Sequence, residues 1–219
     1  MIPLQTGQPF PPFTLPTLGG KLVSLADFAG KRIVLACWAS FDPSREDLPA
    51  WQALARRTFK TPSEVVGVAI DVTGATLPMR IMREKRATFT CLVDAMQLLP
   101  RLAGFADLPA TFGIDETGRQ RLAGGRPDAA FLRDVEIFLN GRADPFQVPG
   151  VATEGDPRRG HDTTLDRLLQ QATNFMYKNR PADAIDAMRR AAQTAPENRI
   201  VIKQLEALEH PERFYPANG

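Results

Sequence analysis

Sulfur, imidazole and long apolar runs are scarce in this chain, and each scarcity removes a class of function. Two cysteines, Cys37 and Cys91, and two histidines, His161 and His210, occur in 219 residues. The cysteines form neither a Cys-x-x-Cys pair nor a metal-ligand spacing, and the histidines are too few and too scattered for a His-based metal site. No metal and no other cofactor is expected. No run approaches the ~20 apolar residues that a membrane-spanning helix needs. An excess of charge is missing as well. With 27 Lys and Arg against 25 Asp and Glu, the formal net charge is +2, and the signs are mixed along the chain, so nothing marks a nucleic acid partner. The start, Met1 to Thr6, has no basic region followed by an apolar one. A cytoplasmic protein is expected, or an exported one if a leader precedes these residues. Gly-x-Ser-x-Gly, His-Glu-x-x-His and phosphate-cradling glycine loops are also absent.

What is present is a run of alternating elements long enough for one full domain and a smaller one. Ile33 to Cys37 reads as a buried strand. A turn rich in Asp, Pro and Ser follows, and then a helix from Trp51 to Phe59, whose apolar face is Leu48, Trp51, Leu54, Ala55 and Phe59. Within the turn, Asp42-Pro43 reads as an N-cap followed by proline at the first helical position. Ser44 with Asp47 offers a second cap two residues on. Glu64 to Asp71 reads as a parallel strand buried on both faces. Leu77 to Arg86 reads as a basic helix with a solvated face, and Phe89 to Asp94 as a strand. Gln97 to Leu102 reads as a short helix. A strand, turn and strand follow from Thr111 to Gly125, with Gly118 in the turn. Asp128 is placed to cap a helix with the apolar face Phe131, Leu132, Val135, Phe138 and Leu139.

Three stretches carry a resemblance. Trp38-Ala39-Ser40 and Arg45-Glu46-Asp47-Leu48-Pro49 flank a loop that resembles the active-site loop of the thioredoxin superfamily, in its TlpA-like and redoxin branch, where Trp-Ala-Ser-Trp-Cys-x-x-Cys-Arg-Glu-Glu-Leu-Pro is typical. Gly7 to Leu15 matches the redoxin opening, and Leu108-Pro109-Ala110-Thr111-Phe112 matches the second hallmark. The resemblance covers about residues 7–140. It implies an α/β thioredoxin-like fold, a central mixed sheet flanked by helices, over residues 1–140. It also implies a cis proline at Pro109, in a turn (Leu108, Pro109, Ala110) that in relatives lends its backbone to an extended peptide. The loop itself departs from the family. Between the matching flanks, Phe41-Asp42-Pro43-Ser44 is one residue short, and no cysteine occurs from Trp38 to Arg45. Asp42 stands where the nucleophilic cysteine would, and the second cysteine is deleted or replaced by Ser44 or Arg45. Thiol–disulfide exchange needs a thiolate. The resembled fold sets the strands of Cys37 and Cys91 two places apart. At ~4.8 Å per strand, that exceeds the ~7 Å limit for a disulfide, so two free buried thiols are expected.

Residues 141–162, rich in Pro and Gly, read as a linker. In residues 163–210, Leu168, Ala172 and Phe175, then Ala184, Met188, Ala191 and Pro196, fit the spacing of one tetratricopeptide (TPR) repeat by resemblance. A further helix from Arg199 to Leu208 is placed to cover the open end. One repeat falls below the ~3 usually needed for independent stability. The helical piece is therefore expected to dock on the thioredoxin-like domain or on a second copy of the chain. The functional expectation is a thioredoxin-like protein without a redox pair that binds a protein or an extended peptide, or acts as a scaffold. The alternative is a thiol–disulfide oxidoreductase or peroxidase-like protein that uses a single atypical cysteine.

Overall fold

The computed structural model describes residues 4–141 and 163–215, so the expected linker lies outside the described residues, save its first residue, Gly141. An N-terminal hairpin comes first, β1 (Thr14–Pro16) antiparallel to β2 (Leu22–Ser24). The main sheet holds β3 (Arg32–Trp38), β4 (Ser63–Ala69), β5 (Cys91–Val93), β6 (Ala110–Ile114) and β7 (Gln120–Gly124) in the order β5-β4-β3-β6-β7. β3, β4 and β5 run parallel, whereas β6 and β7 are antiparallel additions. The sheet is thus mixed, and its central strand is buried on both faces, as a run without polar alternation requires.

Successive side chains of β3 go to opposite faces. Ile33, Leu35 and Cys37 join one buried cluster with the N-terminal Phe10 and Phe13, with Phe112 and Ile114 of β6, and with Leu99 of α3 (Leu98–Ala103). Val34 and Ala36 join the other. There, Trp51 and Leu54 of α1 (Leu48–Thr58) meet Val135, Phe138 and Leu139 of α4 (Ala129–Leu139). The α4 helix is capped as expected, since Asp128 Oδ1 accepts from the Phe131 amide at 2.8 Å. Helix α2 (Thr76–Glu84) buries Ile81 and Met82 beside Trp38 and Leu48. One expected face member is corrected. Phe59 follows the end of α1 and is 72% exposed, with the Lys60 ammonium 5.7 Å from its ring centroid. The helix stops one residue too early to carry Phe59 onto the buried stripe.

Beyond residue 162, α5 (Thr163–Tyr177) and α6 (Pro181–Thr194) form a helical hairpin, followed by α7 (Arg199–Glu209) and the single turn α8 (Pro211–Phe214). Leu168, Ala172, Ala184, Met188 and Ala191 are all buried between these helices, so the small side chains sit where the two axes approach. Phe175 is half-buried, with the Arg180 guanidinium 4.8 Å from its ring centroid. Pro196 lies exposed beyond the end of α6. The helices pack on the sheet domain of their own chain. Ile200 and Ala207 of α7, with Phe214 and Tyr215, complete the main apolar cluster, while Val72 of the sheet domain enters the helical one.

Candidate functional site

Four connections converge at the carboxyl end of the parallel strands, the edge where open α/β sheets receive ligands. They are residues 39–47 after β3, 70–75 after β4, 94–97 after β5, and 104–109 before β6.

The first contains the loop singled out by the sequence. Trp38 and Phe41 are buried, as is Ser44, while Pro43 is exposed. Asp42 caps a short 3-10 turn, Pro43–Asp47, with proline at its first position, and its Oδ1 accepts from the Ser44 amide at 2.9 Å. The competing cap does not form. Asp47 makes no capping bond to α1, and Ser44 Oγ instead accepts from the Ala39 amide at 3.4 Å. Arg45 turns back over the loop and donates to the carbonyls of Ser40 at 2.6 Å and Phe214 at 3.0 Å.

Asp42 has a partner that no local reading reveals. Its other oxygen receives the Lys203 ammonium of α7 at 2.8 Å, across 161 positions of sequence. Asp42 is 1% exposed, so an uncompensated charge there would be costly. Burial pulls the Lys203 ammonium down, but Asp42 and Asp107 outweigh it and hold the group above its ordinary value.

Behind the loop lies a hydrogen-bonded chain. Ser40 presents its amide (2.9 Å) and hydroxyl (2.5 Å) to the carboxylate of Asp71, and Tyr215 Oη lies 2.9 Å from Ser40 Oγ. With the serine proton on Asp71, the tyrosine hydroxyl is the donor. Burial pushes the Asp71 carboxyl up to about 7 against the opposing Ser40 bonds, and it pushes Tyr215 up to about 12. Asp94 accepts from the amides of Leu98 and Leu99 at 2.8 Å each, capping α3, and burial pushes it up to about 6. Two glutamines sit fully buried nearby, and Gln204 Oε1 of α7 accepts from the Val72 amide at 3.1 Å.

The Leu108–Pro109 peptide bond is cis. Leu108 and Ala110 are buried and Pro109 partly so. The Leu108 amide is taken by the Asp107 side chain at 2.9 Å, and the Ala106 carbonyl accepts from the Ile200 amide of α7 at 3.2 Å. The Leu108 amide is therefore already taken, and the approach to the turn is tied to α7.

Both sulfurs are free and buried, with Cys37 2% and Cys91 4% exposed. They stand on β3 and β5, two strands apart. Burial raises both thiols, Cys91 to about 12 and Cys37 further. Neither can supply a thiolate at neutral pH in this state.

The sequence reading brought Asp42, Ser44, Arg45 and the Leu108–Ala110 turn to this edge, but it missed Lys203, Asp71, Tyr215 and Asp107. Asp71 follows the apolar run Val65 to Ile70 just beyond β4, a position that could have marked it. Lys203 lies between Ile200 and Ala207 on the buried side of α7, and a lone cation beside an apolar stripe is the signal that was available.

Thioredoxin-like protein YneN of Bacillus subtilis is 30% identical over 52% of this chain and 68% of its own length. A protein assigned as the thiol:disulfide interchange protein DsbE of Chlorobium tepidum is 29% identical over 62% of this chain and 96% of its own, with a TM-score of 0.56. A secreted disulfide oxidoreductase of Mycobacterium tuberculosis shares the fold at 21% identity and a TM-score of 0.51, covering 59% of this chain and 95% of its own. These names speak more for the oxidoreductase alternative than for a scaffold. The model of the AhpC/TSA family matches residues 6–121, which is more than half of the sequence, and the chain belongs to that family.

Proposed function

We propose that this AhpC/TSA family member is a binding module that works without thiol–disulfide exchange. The observation that carries the reading is that the loop after β3 holds Asp42, ion-paired to Lys203, and no cysteine, while both sulfurs lie buried in strands. Exchange proceeds by attack of a thiolate on a disulfide sulfur. A sulfur that is neither ionised nor reachable cannot begin it. The partner is a protein or peptide segment, and the edge formed by Asp42, Asp107 and the Leu108–Ala110 turn is where it binds. The helical hairpin, read as a single TPR-like unit, is part of the same module.

The second reading, a thiol–disulfide oxidoreductase using one unusual cysteine, is favoured by the names of the relatives. We place it second because it needs Cys37 or Cys91 to come out of the core. One assay separates the two. Insulin reduction with dithiothreitol as electron source should proceed at the uncatalysed rate, and Cys37→Ala and Cys91→Ala should leave it unchanged. Turnover abolished by either substitution would replace the first reading with the second. No helix among the described residues is long and apolar enough to cross a membrane.

A further inference from the structure

The edge is not open. Each of its four connections is touched by the chain's own C-terminal helices. Lys203 and Arg45 tie the first loop to α7 and to Phe214, and Gln204 holds Val72 of the second. Thr173 of α5 donates to the Ala95 carbonyl of the third at 2.9 Å. The Ile200 amide reaches Ala106 of the fourth.

The chemistry of the contact is complementary. On the sheet side, Asp42 and Asp107 stand beside an apolar seat that includes Phe41 and Leu108. On the helix side, Ile200 and Ala207 enter that same cluster, and Lys203 lies between them. The lysine reaches Asp42 at 2.8 Å and Asp107 at 3.4 Å, and Arg199 takes the other oxygen of Asp107 at 3.2 Å. The acid is inside and the base is at the rim, since the side chain of Asp42 is 2% exposed and that of Lys203 is 29% exposed. Lifting α7 away returns the lysine to water. It leaves Asp42 with the Ser44 amide but no cation, so the edge keeps its demand for an external one.

We propose that this acidic edge is a docking site for an amphipathic helix that carries a lysine between its apolar anchors, and that α7 fills it in cis, so that a second helix of the same chemistry binds by displacing α7. The proposal rests on the binding-module reading, and it names the class of ligand. Recognition follows the helix-in-groove mode, with apolar anchors spaced along one face and a lysine between them.

The test uses the full chain as wild type, Lys203→Arg and Lys203→Glu. The probe is a labelled peptide of residues 197–210, and hydrogen exchange is followed at the amides of Val72 and Ile200. Lys203→Glu adds a third carboxylate beside Asp42 and Asp107. It should speed exchange at both amides by about tenfold or more and tighten peptide binding by a similar factor, because like charges across an interface cost several kcal/mol. Lys203→Arg should resemble wild type. Retained protection of β3 and β4 amides shows that the fold persists. If Lys203→Glu loses that protection, Asn198→Ala takes its place, read at the Val72 amide and in peptide binding, since Asn198 Oδ1 accepts from the Ile200 and Val201 amides that open α7. Unchanged exchange, or no gain in peptide binding with the sheet still protected, overturns the proposal. So does a variant that dimerises with its amides protected, because a second copy would then be the occupant. Insulin reductase turnover by the chain would sink the binding-module reading without altering the exchange or peptide readouts, so the two failures are distinguishable.

Discussion

Acidifying the solution from pH 8 to pH 5 should make this protein more stable. The cause lies in two fully buried carboxyls, Asp71 pushed up to about 7 and Asp94 to about 6, from an ordinary value of 3.8. Between the unfolded and folded values, the native state holds a proton that the unfolded chain has released. The stabilisation is complete below pH ~4 and is lost as pH rises through about 6 and about 7. Each unit of pH within a group's window is worth about 1.4 kcal/mol. From pH 5 upward, Asp71 contributes about two such units and Asp94 about one, or roughly 4 kcal/mol together. Carboxylates held low by their partners act in the opposite sense at more acidic pH. Among them, Glu46 is lowered chiefly by Lys85, and Glu116 chiefly by Arg32. Their contribution disappears below pH ~4.5, which sets the optimum near pH 5. Urea unfolding at constant ionic strength reads the effect. With a slope of about 2 kcal/mol per molar, the midpoint at pH 5 should exceed that at pH 8 by roughly 1–2 M. Asp71→Asn should remove more than half of the pH slope. A midpoint that is flat or rises toward pH 8, or an Asp71→Asn variant with the full slope, would refute the argument.

Both thiols should resist an aromatic disulfide reagent in the native protein and react together in denaturant, because Cys91 at about 12 and the higher Cys37 are neutral and buried; rapid native labelling of one sulfur would contradict this. Gly113→Ala should destabilise by about 1–3 kcal/mol. A methyl there would lie 2.9 Å from Leu122 Cβ and 3.1 Å from the Phe138 ring, and chemical denaturation gives the value. Asn198→Ala should cost about 1 kcal/mol through the lost cap of α7, with faster hydrogen exchange in α7 than in β3. Tyr215→Phe removes one donor from Ser40 and should cost about 1 kcal/mol, and it should also slow proteolysis less effectively at the chain's end than wild type does.

The fold was legible because its signals are local. Ile33 to Cys37 announces a two-sided strand, Gly118 its turn and Asp128 its cap, and each depends on residues within a few positions of one another. The two free cysteines followed from strand spacing once the resemblance had placed β3 and β5. What escaped is long-range polar chemistry. Asp42 looks like a simple cap because the proton donor that completes it arrives from Lys203, and the pairing of Ser40 with Asp71 and Tyr215 crosses three elements. Charge pairing of this kind has no period and no spacing, so it leaves no pattern along the chain. Phe59 failed for a different reason, since the apolar spacing continued one residue past the point where the helix ends.

The separation of Asp42 from Lys203 also orders events during synthesis. The sheet's strands are all complete by Gly124, so they can leave the ribosome well before the lysine does. For that interval the nascent domain carries its acid uncovered, and α7, which emerges after the sheet, is the helix that shields it. Early termination of translation would release all of the sheet's strands without the helix that covers Asp42, leaving that acidic face bare to whatever basic chains surround it.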